Sequence, residues 1–146
     1  MKKNVPGFTL VEMLLVVGLL AIIAGFSLPV YQSFQNKNDL TVAAMTLVQV
    51  ERRAQTLSQS GTNDASWGVK IQSGTVVLFK GISYIARDTT ADEVNSISPA
   101  ISIAGVNEIV FSKIFGMPGT TGTTTLTSIN NDTTAVGITS KGTISY

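Results

Sequence analysis

The sequence predicts an α+β protein in which one long N-terminal helix, first transmembrane and then amphipathic, packs against an antiparallel β-sheet domain. Three observations support this fold class. Residues 8–30 are almost uniformly apolar, residues 31–60 have an amphipathic pattern, and residues 61–146 contain short strand-like runs separated by turn residues. Apolar periodicity and turn residues are the main sequence signals of secondary structure, so we expect a helix followed by one β-rich globular domain.

Composition limits the classes of function. The chain has 146 residues, enough for one modest domain plus appendages, and a net charge of +1. It contains no cysteine and no histidine, which excludes a disulfide framework, a thiolate metal site and a lipoprotein signal. The commonest general base and the commonest zinc ligand are also missing. We therefore expect neither an enzyme nor a cofactor, and the near-zero charge favours no nucleic-acid partner.

The apolar stretch over residues 8–30 contains a single charged side chain, Glu12. About 20 apolar residues can cross a bilayer as a helix, and Lys2 and Lys3 would hold its N-terminal end on the cytoplasmic side. An ordinary secretory signal peptide is an alternative, but the small-residue cleavage site around residues 24–29 is poor and Glu12 stays unexplained. A plain anchor would gain nothing from a carboxylate, which is costly inside a membrane and is therefore a functional candidate.

The order of residues before this stretch resembles the class III signal of type IV prepilins and pseudopilins. A basic leader ends at Gly7, and Phe8, Glu12 and the apolar run follow. The resemblance implies that residues 1–7 are a leader, that prepilin peptidase cuts between Gly7 and Phe8, and that Phe8 is then N-methylated. A carboxylate in a water-poor bundle must be neutralised or paired, so Glu12 would pair with the Phe8 amine of a neighbouring subunit. The alternative is that Glu12 is solvated at headgroup depth.

The second part of the helix is predicted from an amphipathic pattern. Apolar residues recur at spacings of three and four at Leu40, Ala43, Ala44, Leu47, Val50, Ala54 and Leu57. Polar residues occupy much of the opposite surface at Asn36, Lys37, Asp39, Gln49, Arg52, Arg53 and Gln55. We expect one helix over residues 8–60, kinked at Pro29, as in many pilins, and ended by Gly61. The pair Arg52 and Arg53 is expected to be a solvated surface rather than a binding site.

The remainder of the chain is predicted to be β-rich. The expected strands are residues 67–72, 76–80, 82–86, 100–104, 108–114, 123–129, 135–139 and 143–146. Residues 87–98 are expected to form a connecting loop with a helical turn near residues 92–94. One strand-rich layer cannot bury its apolar face alone, so the amphipathic helix is expected to cover it.

The C-terminal part resembles the GspH/FimT-type minor pilins and pseudopilins. The likeness rests on a Phe-containing run at residues 110–115, a turn at residues 116–118, a threonine-rich strand, and two final strands separated at Lys141 and Gly142. It implies a structural subunit in the inner membrane, with its C-terminal domain outside the cytoplasm, whose partners are prepilin peptidase, an assembly platform and other pilins of a pilus or pseudopilus. A major pilin, or a minor pilin whose β-domain binds DNA or a surface, are the alternatives. DNA is a poor candidate, because no arginine follows Arg87.

Two weaker signals occur in the β-rich part. Asp88, Asp92 and Glu93 are weak candidates for a hard-cation site, although their spacing matches no EF-hand and a solvated loop is favoured. The threonine-rich residues 120–125 would suit a glycan-bearing spacer or a turn leading into a strand, and we favour the strand.

Overall fold

The computed structural model describes residues 7–146, apart from the side chains of residues 26–29. It contains one long helix, α1 (Leu10–Gln59), and a short 3-10 turn, Thr62–Asp64. Eight strands follow within this range: β1 (Trp67–Gln72), β2 (Thr75–Lys80), β3 (Asp88–Ser96), β4 (Ser102–Gly105), β5 (Glu108–Phe111), β6 (Gly122–Thr127), β7 (Thr133–Ile138) and β8 (Ile144–Ser145). The chain forms two compact units, Met1–Gln35 and Asn36–Tyr146.

The helix of the first unit is apolar and exposed. Residues 7–9 have no regular structure, and α1 begins at Leu10, two residues after the predicted start. Every described side chain from residue 10 to residue 25 is exposed. The helix continues through position 29, but the kink predicted at Pro29 concerns a side chain outside the described part and stays a prediction.

The strands of the second unit form two antiparallel sheets of four strands each. Their orders are β3-β2-β1-β5 and β4-β6-β7-β8. All pairings between these strands are antiparallel, as the sequence predicted. The expectation of one strand-rich layer was too simple, because the second sheet is built from the threonine-rich C-terminal strands.

Helix α1 packs its predicted apolar face against both sheets. Its contribution to the core comes from Leu40, Ala43, Ala44, Leu47, Val48, Val50 and Ala54, with Leu57 half-buried at the edge. The sheets contribute, among others, Val69, Leu78, Phe111, Leu126 and Val136. Packing a helix stripe against apolar strand faces is the means by which an α+β domain excludes water from its core. The predicted fold class is confirmed.

The expected strand over residues 82–86 and loop over residues 87–98 were wrong. Residues 82–86 form bends and turns, whereas β3 pairs with β2 from Thr75 opposite Ser96 to Lys80 opposite Asp88. Strand β3 is an edge strand, and charged side chains are common on edges because they discourage unwanted pairing. A charged edge strand therefore resembles a loop in sequence, and the helical turn expected near residues 92–94 is absent from it.

The loop over residues 81–87 covers the outer face of the first sheet. Phe79 is buried there beside its cross-strand partner Gly68, where an added Cβ atom would collide with the Phe79 ring. The Tyr84 ring contacts Phe79 edge-on at 5.6 Å between centroids, and the Arg87 guanidinium lies 3.8 Å from the centre of the Tyr84 ring. Aromatic and cation–π contacts of this kind hold the loop against the sheet.

Candidate processing and assembly site

The predicted cleavage position lies in irregular backbone directly before α1. Gly7 and Phe8 are both exposed, and 78% of Phe8 is accessible. A Cβ atom placed on Gly7 would have no other atom within 4 Å. Nothing in the described structure therefore requires glycine at this position, and a requirement for it would come from the processing enzyme. The other leader residues, 1–6, lie outside the described part of the chain.

Thr9 and Glu12 form the start of the helix. The Glu12 amide donates a hydrogen bond to the Thr9 hydroxyl oxygen at 3.2 Å, and the Met13 amide donates to the Thr9 carbonyl oxygen at 3.2 Å. Thr9 is thus the N-cap, and Glu12 occupies the third helical position. Threonine followed three residues later by glutamate is the capping-box pattern. The sequence contains this signal at Thr9 and Glu12, although the sequence prediction for Glu12 concerned only the membrane and neighbouring subunits.

This geometry gives Glu12 a local role within one chain, distinct from the predicted pairing with a neighbouring subunit. A carboxylate in the first helical turn interacts favourably with the exposed amides and the positive end of the helix dipole, typically by about 0.3–1 kcal/mol. Glutamine serves equally in a capping box, whereas it cannot neutralise an amine. Local capping and intersubunit charge pairing can therefore be separated by substitution.

The helix that follows could cross a membrane by its length and composition. Its most apolar 18-residue window has a mean hydropathy of 2.5 and none of it is buried within the chain. Large side chains such as Leu10, Leu14 and Ile22 are more than half exposed. Such a surface is costly in water, so it needs bilayer or apolar protein around it.

The three carboxylates considered for a cation each have a basic partner. Asp88 lies 3.2 Å from Lys80. Asp92 lies 2.8 Å from Arg87, and Glu93 lies 2.7 Å from Arg53. Among the described residues, no group of three or more acidic, histidine or cysteine side chains is arranged to hold a metal ion. Charge pairing along an edge strand therefore explains these acidic residues.

Hydrogen bonds also affect one of these groups. The Thr90 hydroxyl donates to the Asp88 carboxylate at 2.6 Å, and the Thr90 amide and Lys80 donate to it as well. The pKa of Asp88 is lowered, chiefly by Thr90 and then by Lys80, since both stabilise the ionised form.

The Arg53 and Arg52 side chains are exposed, as predicted.

Three polar residues on the inner face of α1 escaped the sequence analysis. Gln55 was assigned to the solvated surface, but it is half-buried and its Nε2 donates to the carbonyl oxygens of Gly116 and Gly142, both at 3.1 Å. Ser58 is buried, donating to the Phe111 carbonyl oxygen at 3.2 Å and accepting from the Trp67 amide at 2.9 Å. These side chains tie the end of α1 to the turns and strands beside it.

The third of these residues is Glu51, which is only 1% exposed. Its Oε2 atom has no hydrogen-bond partner among the described residues. Burial raises its pKa to about 7, because removal from water disfavours the charged carboxylate. The only sequence signal of its burial was that Glu51 lies four residues after Leu47, on the same face of the helix. A search for apolar periodicity does not count an acidic residue.

Comparison with known proteins points to one family. The profile of the prokaryotic N-terminal methylation motif matches residues 2–28, which include Gly7, Phe8 and Glu12. Prepilin peptidase-dependent protein D from Escherichia coli (strain K12) is 27% identical over 129 residues, covering 86% of this chain and 85% of the relative. Both matches support a type IV pilin-like protein. No solved structure is significantly similar to it.

The two matches cover different parts of the chain. The motif match is confined to the leader and the apolar helix, whereas the relative also aligns with most of the globular domain. Neither match names the GspH/FimT branch, so membership of that branch stays a prediction.

Proposed function

We propose that this pilin-like protein is a structural subunit that prepilin peptidase cleaves between Gly7 and Phe8, and that then assembles with other pilins through its apolar helix. The observation that carries the proposal is the methylation motif at residues 2–28, within which residues 10–25 form a helix whose described side chains are all exposed. The subunit would wait in the inner membrane, with its C-terminal domain outside the cytoplasm, and an assembly platform would transfer it into a filament.

The exposed helix suits both surroundings. In the membrane its apolar side chains face lipid, and in a filament they face the helices of neighbouring subunits. A methyl group added at Gly18 or Gly25 would have no other atom within 4 Å, so the surface of the helix is open at both glycines. Small residues allow helices to approach closely in an apolar environment, where packing rather than the hydrophobic effect drives association.

Cleavage would create the charge that Glu12 needs. A new amine forms at Phe8 and stays cationic after one methylation. Within a water-poor bundle, the Glu12 carboxylate of one subunit would pair with the amine of the next, and an uncompensated charge at that place is strongly unfavourable. The pair would set the axial position of each entering subunit.

Three substitutions separate this pairing from helix capping. Glu12→Ala removes the charge and half of the capping box, Glu12→Gln removes only the charge, and Thr9→Ala removes the N-cap while keeping the charge. We expect both Glu12 variants to be inserted into the membrane and processed but to be lost from filaments, and Thr9→Ala to enter them. The measurement is the amount of each variant in sheared filaments and in the inner membrane at equal expression. Entry of Glu12→Gln at the parent level would contradict charge pairing.

The resemblance of the C-terminal pattern to GspH/FimT-type subunits favours a minor pilin or pseudopilin over a major pilin. A minor subunit would be scarce in sheared filaments relative to its siblings, whereas a major pilin would dominate them. Quantitative mass spectrometry of the sheared fraction distinguishes the two. In either case the proposed role is structural rather than enzymatic.

A further inference from the structure

Helix α1 begins just after the bond that the peptidase would cut. Residues 7–9 have no regular structure and Leu10 is the first helical residue, so only Thr9 separates Phe8 from the helix. Phe8 is largely exposed, and a Cβ atom on Gly7 would have no other atom within 4 Å. Within the described residues the bond is therefore uncovered, and access to it depends on the conformation of its own backbone.

Hydrolysis requires the Gly7 carbonyl group to be free. Water adds to the Gly7 carbonyl carbon and the bond to the Phe8 nitrogen breaks, which leaves a carboxylate on Gly7 and an amine on Phe8. Negative charge develops on the Gly7 carbonyl oxygen during this step, and hydrogen-bond donors of an enzyme must reach that oxygen to stabilise it. A carbonyl oxygen that already accepts a hydrogen bond within a helix is less accessible to such donors.

A helix that began at Phe8, as the apolar pattern predicted, would occupy this oxygen. Gly7 would then be the N-cap, and the carbonyl oxygen of an N-cap accepts the first hydrogen bond of its helix, here from the Val11 amide. The observed start at Leu10 leaves the bond outside the helix. A difference of two residues in the helix start therefore decides whether the scissile bond is protected.

The Thr9 side chain favours the later start. Its hydroxyl oxygen accepts a hydrogen bond of 3.2 Å from the Glu12 amide. In a helix beginning at Phe8, the same amide would donate to the Phe8 carbonyl oxygen instead. Threonine hydroxyls compete with backbone carbonyls for amides in this way, and an N-cap residue itself stays outside the helical conformation. The hydrogen bond from Glu12 thus stabilises the start at Leu10 against the start at Phe8.

The two starts are closely matched in the sequence. Glycine is about as acceptable as threonine at an N-cap, so Gly7 could cap the longer helix. Thr9 has the advantage that Glu12 follows it three residues later, which completes the capping-box pattern. Because the balance is close, the loss of one hydroxyl group is enough to shift it towards the longer helix.

We propose that Thr9 is a positioning residue for prepilin processing, because its cap keeps the Gly7–Phe8 bond outside α1, where the peptidase can bind it. This inference rests on the proposed function, since it concerns the same cleavage. Thr9 acts through the conformation of the backbone and takes no part in the bond changes. Its loss slows cleavage without preventing it, so Thr9→Ala chains are still processed in time and enter filaments as expected above.

The expected effect is on the apparent affinity of the peptidase for its substrate. Loss of an N-cap side chain typically changes the balance between helix starts by a factor of about five. When only a fraction of the substrate has the conformation that binds, the apparent affinity falls by that fraction. We therefore expect KM for cleavage to rise by up to about fivefold, whereas kcat stays unchanged because the bound conformation is the same.

Two substitutions separate capping from recognition of side-chain shape. Thr9→Val keeps the shape of threonine but removes the hydroxyl group, whereas Thr9→Asn changes the shape and keeps a capping oxygen. Full-length precursors in detergent micelles are cleaved by purified prepilin peptidase, and loss of residues 1–7 is followed by intact mass. We expect a raised KM for Thr9→Val and the parent KM for Thr9→Asn. Thr41→Val is the matched control, because Thr41 is exposed and its hydroxyl bonds only to the Lys37 carbonyl oxygen.

A second substitution should rescue cleavage without restoring the hydroxyl group. Proline is favoured at the first position of a helix, and it disfavours the helical conformation in the residue before it. Leu10→Pro combined with Thr9→Val should therefore return the helix start to position 10 and KM to the parent value. The helix start is measured independently by the Cα chemical shift of Phe8 in isotope-labelled precursor, which should become helical in Thr9→Val and stay unchanged in Thr9→Asn.

The outcomes distinguish this proposal from the proposed function. Cleavage of Thr9→Val with the parent KM would overturn the role of Thr9, and so would equal slowing by Thr9→Asn. A double variant as slow as Thr9→Val, while Leu10→Pro alone is cut normally, would show that the peptidase recognises the hydroxyl group directly. If Leu10→Pro alone is slow, an unchanged Phe8 shift in Thr9→Val would overturn the proposal. If the parent is not cut between Gly7 and Phe8, the proposed function is wrong and this inference falls with it.

Discussion

Residues 10–25 and residues 40–54 belong to the same helix, but their apolar side chains have different surroundings. In the first segment every described side chain is exposed, whereas in the second a stripe from Leu40 to Ala54 is buried against two sheets. The first segment is apolar on all sides, and the second alternates with polar residues at helical spacing. The comparison shows that one helix can have two environments. Its second half completes the core of a globular domain, and its exposed apolar first half needs lipid or other helices around it.

The largest effect on domain stability is expected when the same leucine-to-alanine substitution is made in each half of helix α1. Leu47 is 1% exposed and Leu15 is 67% exposed. Leu47→Ala should destabilise the domain by about 2–5 kcal/mol, because it leaves a cavity in the core. Leu15→Ala should leave domain stability unchanged. Trp67 is the sole tryptophan and is buried in the domain, so its fluorescence during denaturation of full-length protein in detergent reports on this unit. Equal losses in the two variants would refute the division of the helix.

The second prediction concerns the carboxylate buried among the apolar residues of the second half. Since the native pKa of Glu51 is about 7 against an ordinary value of 4.5, the folded state holds a proton that the unfolded state releases between these pH values. Stability should therefore fall as pH rises from about 4.5 to about 7 and then level off. The difference between these two pKa values corresponds to roughly 3 kcal/mol.

Glu51→Gln is the control that isolates this group. The variant should be more stable than the parent at pH 8 and similar to it at pH 4, with most of the slope between them removed. Asp88 has a lowered pKa, so its contribution is lost only as pH falls through still more acidic values, and the two windows are separate. An unchanged slope in Glu51→Gln would show that Glu51 is not the titrating group.

The amphipathic pattern predicted the helix well because burial there is mainly apolar. It failed at Glu51, Gln55 and Ser58, whose burial depends on tertiary contacts that have no local sequence pattern. Strand β3 was missed for a related reason: its charged residues suit a sheet edge, and ion pairs with Lys80, Arg87 and Arg53 form only after folding. At the N-terminus the order of residues was enough to predict the methylation motif, because that motif is a local sequence pattern. The capping role of Thr9 was not predicted.

The smallest expected effect on stability concerns the buried Ser58 near the end of helix α1. Ser58→Ala would leave the Trp67 amide without its acceptor, at a cost of about 1–3 kcal/mol. Ser60 is exposed and makes only local hydrogen bonds, so Ser60→Ala should change stability by less than about 0.5 kcal/mol. Denaturation monitored by Trp67 compares the two serine variants. A Ser58 variant as stable as the Ser60 variant would mean that water replaces the lost acceptor.

The most direct test of the central claim is the intact mass of protein extracted from membranes. If the first half of the helix is the processed assembly segment of a pilin-like subunit, the mature chain begins at a methylated Phe8 and has lost residues 1–7. Gly7→Val should remain uncut, whereas Gly18→Val, a matched change in open helix surface, should be processed normally. A mature N-terminus near Ser27 or Leu28 would instead identify a secretory signal peptide and contradict the account.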